Sequence, residues 1–378
     1  MLSAYRNTNI ITNGQQLTGK TILVEGDTIK AIIPEKEIPA EAQQIDLMGN
    51  YLAPGLIDLQ IYGAPGTPYF FGGTPSVAML AGMEQELLKQ GCTGFLATIA
   101  TNSDDVVEAG IAAAKAFRKQ AKGAFLGLHL EGPYLNSKRR GAHPEQFIKK
   151  GSLAQVKRWL EMADGEIKMM TIAPELQDAE VINYLHQQGI ILSSGHSNAT
   201  YAEAKSFINN PVQAITHLYN AMPQMHHREP GIIPAIFEER PYTSIVADGI
   251  HVDFAMIRLA KRELGDKLFF ITDAVAEATE GTYQHQFKGD RYTMPDGTLS
   301  GSCLTMLKAV QNGMEHAGIS LTEAVNMASL YPAQLAGLHK KGQIAPGFSA
   351  DFIIFGPGFE VVGTVLKGDL TQTIQTIR

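Results

Sequence analysis

Eight short apolar runs, separated by segments of helical period, limit what this chain can fold into. The runs are Leu56 to Gln60, Gly94 to Ile99, Phe125 to Leu130, Ile167 to Ile172, Ile190 to Ser194, Gln213 to Thr216, Thr243 to Ala247 and Leu268 to Thr272. Each reads as a buried strand. Among the intervening segments, Asp104 to Ala121 has alanine-rich helical spacing, and Leu153 to Met162, Asp178 to Gln188, Asp253 to Leu264 and Cys303 to Ala317 are amphipathic. Alternation of this kind over roughly 290 residues fits a (β/α)8 barrel of the TIM type, whose typical size is ~250 residues with insertions adding more. The rival is a doubly wound open sheet. It would carry a glycine-rich phosphate turn after its first strand, and Gly72-Gly73 is too weak a match.

The ends of the chain differ from its middle. Residues 1–52 hold short strand candidates, among them a hairpin of Thr21 to Glu25 and Thr28 to Ile33 joined by Gly26-Asp27. The same character returns in Ala350 to Phe355 and Glu360 to Leu366 around Gly356-Pro357-Gly358. We therefore expect a small β-sandwich domain built from residues 1–52 and 345–378, with residues 53–344 as the barrel.

Composition excludes several classes. With 44% hydrophobic and 18% charged residues the chain can bury a large core, and its net charge of -7 has no long like-charge run. That argues against nucleic-acid binding or a polybasic membrane patch, so an anionic ligand must be gripped by a few local groups. Cys92 and Cys303 are the only cysteines, which suits a reducing compartment. The first nine residues lack an apolar h-region and no run approaches the ~20 apolar residues of a membrane span, so a cytoplasmic protein is expected.

In a barrel of this kind the chemistry lies at the C-terminal ends of the strands. The third run continues as Gly127-Leu128-His129-Leu130-Glu131-Gly132-Pro133-Tyr134 and must stop there, because proline has no N–H for the ladder and glycine frees the backbone. Glu131 is left at the end of a buried strand, where an unpaired charge costs on the order of several kcal/mol. A positive partner is expected. Strand five ends at His196, strand six at His217 and strand eight at Asp273. Three nitrogen or oxygen ligands from three strands, with an acidic residue from a fourth strand beside them, have the composition of a catalytic metal site with an open water position. Asp273 could accept a proton from that water, although an aspartate at a strand-to-helix turn also serves as a helix cap.

A single strand-end histidine is more often a hydrogen-bonded structural residue, and it is the set that points to a metal. Of the 11 histidines, His186 and His316 fall on helices and His226, His227, His285 and His339 in loops, so solvated surface is expected for these six. His129 shares a strand face with Glu131 but lies one layer deeper, so it is expected either to fill a layer or to support the ligands from behind. In the loops above, Arg228 and His251 could grip a phosphate or carboxylate, while pairing of Arg228 with Glu229 at the surface is an equal alternative. Mixed histidine and carboxylate ligation suits zinc, iron(II), manganese or cobalt, with zinc the first choice.

Pro54-Gly55-Leu56-Ile57-Asp58, His129-Leu130-Glu131-Gly132-Pro133, Gly195-His196-Ser197-Asn198-Ala199-Thr200, Thr216-His217-Leu218-Tyr219-Asn220-Ala221-Met222, Ala247-Asp248-Gly249-Ile250-His251 and Thr272-Asp273-Ala274 occur in this order. Together they resemble the N-acetylglucosamine-6-phosphate deacetylase family of the amidohydrolase superfamily. Pro346-Gly347-Phe348-Ser349-Ala350-Asp351 is similar to the superfamily's return to its small β domain. The resemblance implies hydrolysis of an N-acetyl group to give glucosamine 6-phosphate and acetate. It implies that Glu131, His196 and His217 hold the metal, that Asp273 is the general base, and that His143 polarises the amide oxygen. Ala142, Asn220, Ala221 and the loop Leu304-Thr305-Met306 would shape the sugar pocket. His251 and Arg228 would bind the phosphate, Arg228 from the neighbouring subunit of a homodimer.

Two departures bear on these expectations. Where many amidohydrolases carry His-X-His this chain has Gln60-Ile61-Tyr62, which implies one metal. The loop from Gly63 to Gly73 differs from the Asn-Gly-Cys-Gly-Gly type of run, which keeps open another substrate such as N-acetylgalactosamine 6-phosphate. A non-catalytic sugar-phosphate binder is the rival of another class; it would show a damaged ligand set, and all four strand-end residues are intact.

Overall fold

The computed structural model describes residues 1–64, 66–67 and 75–371; Gly72-Gly73 and most of the loop from Gly63 to Gly73 lie outside these residues. The chain packs as two compact units, one of Leu59–Glu86 and Phe95–Leu304, the other of Met1–Asp58, Leu87–Gly94 and the residues from Thr305 onward.

All eight expected strands form one sheet in sequence order: β1 Leu56–Ile61, β2 Cys92–Ala100, β3 Phe125–Glu131, β4 Ile167–Ile172, β5 Ile191–Ser194, β6 Ala214–Ile215, β7 Tyr242–Val246 and β8 Leu268–Ile271. From β2 to β8 each neighbouring pair is parallel. The sheet closes on itself beyond the end of β8, where Asp273 N–H donates to the Gln60 carbonyl (3.0 Å) and Tyr62 N–H to the Ala274 carbonyl (2.9 Å). Barrel closure removes the edges of the sheet and brings all strand ends around one axis.

The helices between and after the strands are α1 Val77–Lys89, α2 Asp104–Phe117, α3 Leu153–Ala163, α4 Ala179–Gln187, α5 Tyr201–Phe207, α6 Ile232–Glu239, α7 Phe254–Leu264, α8 Met306–Ala317, α9 Leu321–Ala328 and α10 Leu330–Leu335. Two differ from their sequence reading by more than one residue at an end. Helix α2 stops at Phe117 rather than Ala121, because Arg118 is drawn to Glu166 (2.9 and 2.7 Å) and to the Phe125 carbonyl (2.6 Å). Helix α8 starts at Met306 rather than Cys303, capped by the Thr305 hydroxyl on Lys308 N–H. Within the barrel, His129 Nε2 meets Thr171 Oγ1 (2.7 Å), which meets Thr216 Oγ1 (2.6 Å), which meets Ser193 Oγ (2.6 Å). Those hydrogen bonds satisfy a buried polar layer, and the other nitrogen of His129 faces the Leu59 carbonyl (3.0 Å). His129 thus fills a layer, as expected.

The other unit interleaves both ends of the chain. A four-stranded sheet takes Leu2–Arg6, Lys20–Glu25, Thr28–Pro34 and Gln43–Asp46, so the expected hairpin is present. A six-stranded sheet places Phe352–Phe355 between Tyr51–Pro54 and Val361–Leu366, antiparallel to both. Tyr5, Ile10, Ile22, Leu52, Phe352 and Val365 form the core of this unit.

Candidate metal centre

Each strand-end residue reaches the barrel mouth through a local bend. After Glu131 the chain turns at Gly132, whose φ is +84 and where an added Cβ would lie 2.1 Å from Thr101 Oγ1, so only glycine fits. His196, His217 and Asp273 take left-handed backbone themselves, with φ of 49, 35 and 54. Such conformations cost on the order of 1–3 kcal/mol each and persist where surrounding structure enforces them. A capping box of Thr200 and Glu203 starts α5 four residues after His196 and anchors that bend.

The side chains converge on Glu131. His217 Nε2 is 3.1 Å and His196 Nε2 3.4 Å from Glu131 Oε1, and His143 Nε2 is 3.2 Å from Oε2. Burial works against ionised Glu131, but the charge of His143 and the side-chain contacts of His143, His196 and His217 hold its carboxyl well below the usual range. For His217 the order of causes is similar: burial lowers it, yet the hydrogen bond to Glu131 and that residue's charge raise it overall. His143 is pushed down, first by burial and then by the charge of His196. Desolvation pushes the Asp273 carboxyl up, opposed by His217 and reinforced by Glu131.

The donor chemistry fits a metal. His196 Nδ1 lies 2.8 Å from the Arg139 carbonyl, which can only accept, so Nδ1 carries the proton and neutral His196 offers a lone pair at Nε2. That lone pair faces Glu131 and, at 3.1 Å, His217 Nε2. Two imidazole nitrogens and a carboxylate oxygen converging in this way are satisfied by a divalent cation, and a carbonyl behind the liganding imidazole is the usual support. His143 belongs to the same cluster, with ligand atoms of Glu131, His143 and His196 all within 4.8 Å of one another.

Gln60 and Tyr62 stand where His-X-His would be and bind protein atoms. Gln60 Nε2 donates to Asp273 Oδ1 (2.8 Å) and Glu131 Oε1 (3.1 Å), and the Tyr62 hydroxyl donates to Glu131 Oε2. Among the described residues Asp273 caps no helix. A cavity of about 170 Å³ opens on this cluster, lined by Glu131, His143, His196, His217 and Asp273 together with Ala142, Asn220, Ala221 and His251.

The family model described as "Amidohydrolase family" matches residues 51–371, and that of the "NagA composite domain" matches residues 4–52. A protein of Haemophilus influenzae named N-acetylglucosamine-6-phosphate deacetylase is 34% identical over 97% of this chain and 99% of its own length. The chain belongs to the N-acetylglucosamine-6-phosphate deacetylase family of amidohydrolases. A human relative of that name is 32% identical over 97% of this chain and 95% of its own length. Among solved structures, the deacetylase of Pasteurella multocida superposes with a TM-score of 0.93 at 37% identity, covering 98% of this chain and 99% of that one. A Mycobacterium smegmatis mutant solved in complex with N-acetyl-D-glucosamine-6-phosphate superposes at 0.89 with 26% identity, covering 99% of each chain.

Not every residue taken from the family resemblance lies in the cavity. Arg228 is exposed, with its guanidinium 2.8 Å from His227 Nε2, and lines a separate cavity of about 600 Å³ with Arg139, Tyr201 and His226. Leu299, Ser300 and Gly301 form a wall of the cavity, and in the loop Leu304-Thr305-Met306 that follows, Leu304 and Met306 are buried and Thr305 caps α8. A three-stranded sheet, β9 Gln286–Phe287, β10 Arg291–Thr293 and β11 Leu299–Ser302, supplies that wall. Next to it, His285 is corrected. Expected at the surface, it is buried, lines the cavity and bonds Ser300 Oγ through Nδ1 (2.9 Å). Tyr283 hydrogen-bonds the Thr101 carbonyl (2.7 Å) and approaches His143 Nδ1 (3.3 Å). Asp248 accepts from His251 Nδ1 (2.6 Å) and from the backbone N–H groups of Ile250 and His251, which fixes the ring. The spacing Asp-Gly-Ile-His was its only signal in the sequence.

Proposed function

We propose that this chain hydrolyses the N-acetyl group of N-acetylglucosamine 6-phosphate to glucosamine 6-phosphate and acetate, in amino-sugar catabolism and cell-wall recycling. One observation carries the proposal: Glu131, His143, His196, His217 and the separate Asp273 line a single cavity in a chain of this family. Glu131, His196 and His217 would hold one divalent transition metal, zinc by preference. When bound, such an ion supplies Lewis-acid polarisation and lowers the pKa of a coordinated water toward ~7.

The protein groups divide the rest of the work. Gln60 occupies Asp273 Oδ1, which leaves Oδ2 as the atom that takes the proton of the attacking water. The raised carboxyl of Asp273 then returns this proton to the leaving amine, which could not depart as an anion. His143 stands beside Glu131, where it meets the acyl oxygen as charge develops. Asn220 Nδ2, buried and without a partner among the described residues, offers a donor to the sugar. With Nδ1 held by Asp248, His251 keeps Nε2 for the phosphate, while Ala142 and Ala221 shape the floor.

The reading includes a homodimer. Arg228 lines a different cavity from Glu131 in its own chain, which supports supply of this cation to the phosphate of the neighbouring subunit. It also keeps residues 53–344 as the catalytic domain and residues 1–52 with 345–378 as the small one, a division supported at its first boundary by the family match to residues 4–52. Both cysteines are free, which supports a cytoplasmic setting, and among the described residues no helix is long and apolar enough to cross a membrane.

Metal content by elemental analysis, paired with acetate release before and after chelation, tests the proposal. One equivalent per chain with chelator-sensitive release is expected. Bound metal without acetate release would overturn the choice of substrate, and two equivalents would overturn the single site.

A further inference from the structure

Glu131 has two oxygens in different company. Oε1 faces His196, His217 and the Gln60 amide, whereas Oε2 faces the Tyr62 hydroxyl and His143. Tyr62 is buried on the lining of the cavity, and Gln60 Nε2 also reaches its hydroxyl oxygen (3.2 Å). Gln60 and Tyr62 therefore tie the carboxylate that would hold the cation to the carboxylate that would take the proton, through neutral donors alone.

We infer that Tyr62 is a positioning residue, whose hydroxyl engages Glu131 Oε2 so that Oε1 alone is presented to the cation between His196 and His217. The inference rests on the reading that Glu131, His196 and His217 hold a divalent metal. An isolated carboxylate can turn about its last bond and offer either oxygen or both. A donor fixed on Oε2 removes this freedom before the ion arrives, which is how groups behind metal ligands raise affinity. Phenylalanine at position 62 would fill the same space and lack the donor.

The test is Tyr62→Phe, read first without substrate. Zinc affinity of the metal-depleted protein, measured by competition with a chromophoric chelator, is expected to fall by about 10–100-fold. The visible spectrum of the cobalt-substituted variant is expected to change, because Oε2 of Glu131 loses its hydroxyl donor and keeps only His143 beside it. At saturating metal, kcat for acetate release is expected to fall while KM stays within about twofold, since the hydroxyl is already engaged by Glu131. Should the phenylalanine variant fold poorly, Tyr62→Asn keeps a shorter donor and is expected to bind zinc more weakly than the wild type. Zinc affinity within twofold of wild type and an unaltered cobalt spectrum in the soluble variant would overturn the inference. Failure of the wild type to release acetate would instead sink the functional reading, since zinc affinity and the cobalt spectrum involve no substrate.

Discussion

Asp273→Asn separates the chemical step from the architecture around it. The substitution keeps the shape of the side chain and an oxygen to accept from Gln60 Nε2, now 2.8 Å from Oδ1. Only the second oxygen becomes an amide nitrogen, which cannot take a proton. General-base catalysis contributes about 10²–10⁴-fold, which at 1.36 kcal/mol per decade is about 2.7–5.4 kcal/mol of barrier. We expect kcat to fall within that range, with one equivalent of metal retained because Glu131, His196 and His217 are untouched. Folding stability should not fall, since desolvation already disfavours the ionised carboxyl. The assay is acetate release at saturating substrate, with metal content and thermal unfolding measured on the same preparation. A variant holding its metal and retaining kcat within about threefold would refute Asp273 as the base.

Two further predictions concern assembly and pH. If Arg228 serves the neighbouring site, an Arg228→Ala chain mixed with an Asp273→Asn chain forms hybrid dimers with one intact site, so random exchange should restore about a quarter of wild-type turnover; no gain on mixing would exclude a shared site. Burial pushes His285 down to about 4, against ~6.5 in an unfolded chain. Below pH ~6.5 the unfolded chain binds a proton that the folded chain refuses, so this contribution is full above that pH and is lost as pH falls toward 4. The loss amounts to about 2 kcal/mol at pH 5. His285→Gln should remove that part of the pH dependence, and urea unfolding of both proteins at pH 8 and pH 5 should show it; equal dependence in the two would contradict it.

The barrel was legible because parallel strands buried on both faces leave near-continuous apolar runs, and the ends of those runs carry the ligands. Even Ala214–Ile215, only two residues long, was flagged by its apolar pair before His217. The wall at β9 to β11 was not legible. Gln286–Phe287 and Arg291–Thr293 are short and largely exposed or half-buried, so no alternation announces them, and the burial of His285 follows from that sheet. Helices α1, α5 and α6 were also missed: α5 and α6 have seven and eight residues, too few to establish a period. Tyr62 registered only as a departure from His-X-His. Its hydrogen bond to Glu131 spans 69 residues of sequence, and no local pattern encodes such a pairing.

The left-handed backbone at His196, His217 and Asp273 sets activity and robustness against each other. Glycine would hold each bend without strain, and relief at three positions, on the order of 1–3 kcal/mol each, is comparable to much of a domain's total margin of ~5–15 kcal/mol. A population selected for heat resistance alone would therefore drift away from the residues the chemistry needs. Selection for turnover must hold these positions continuously against that drift, and lineages released from it should decay there first.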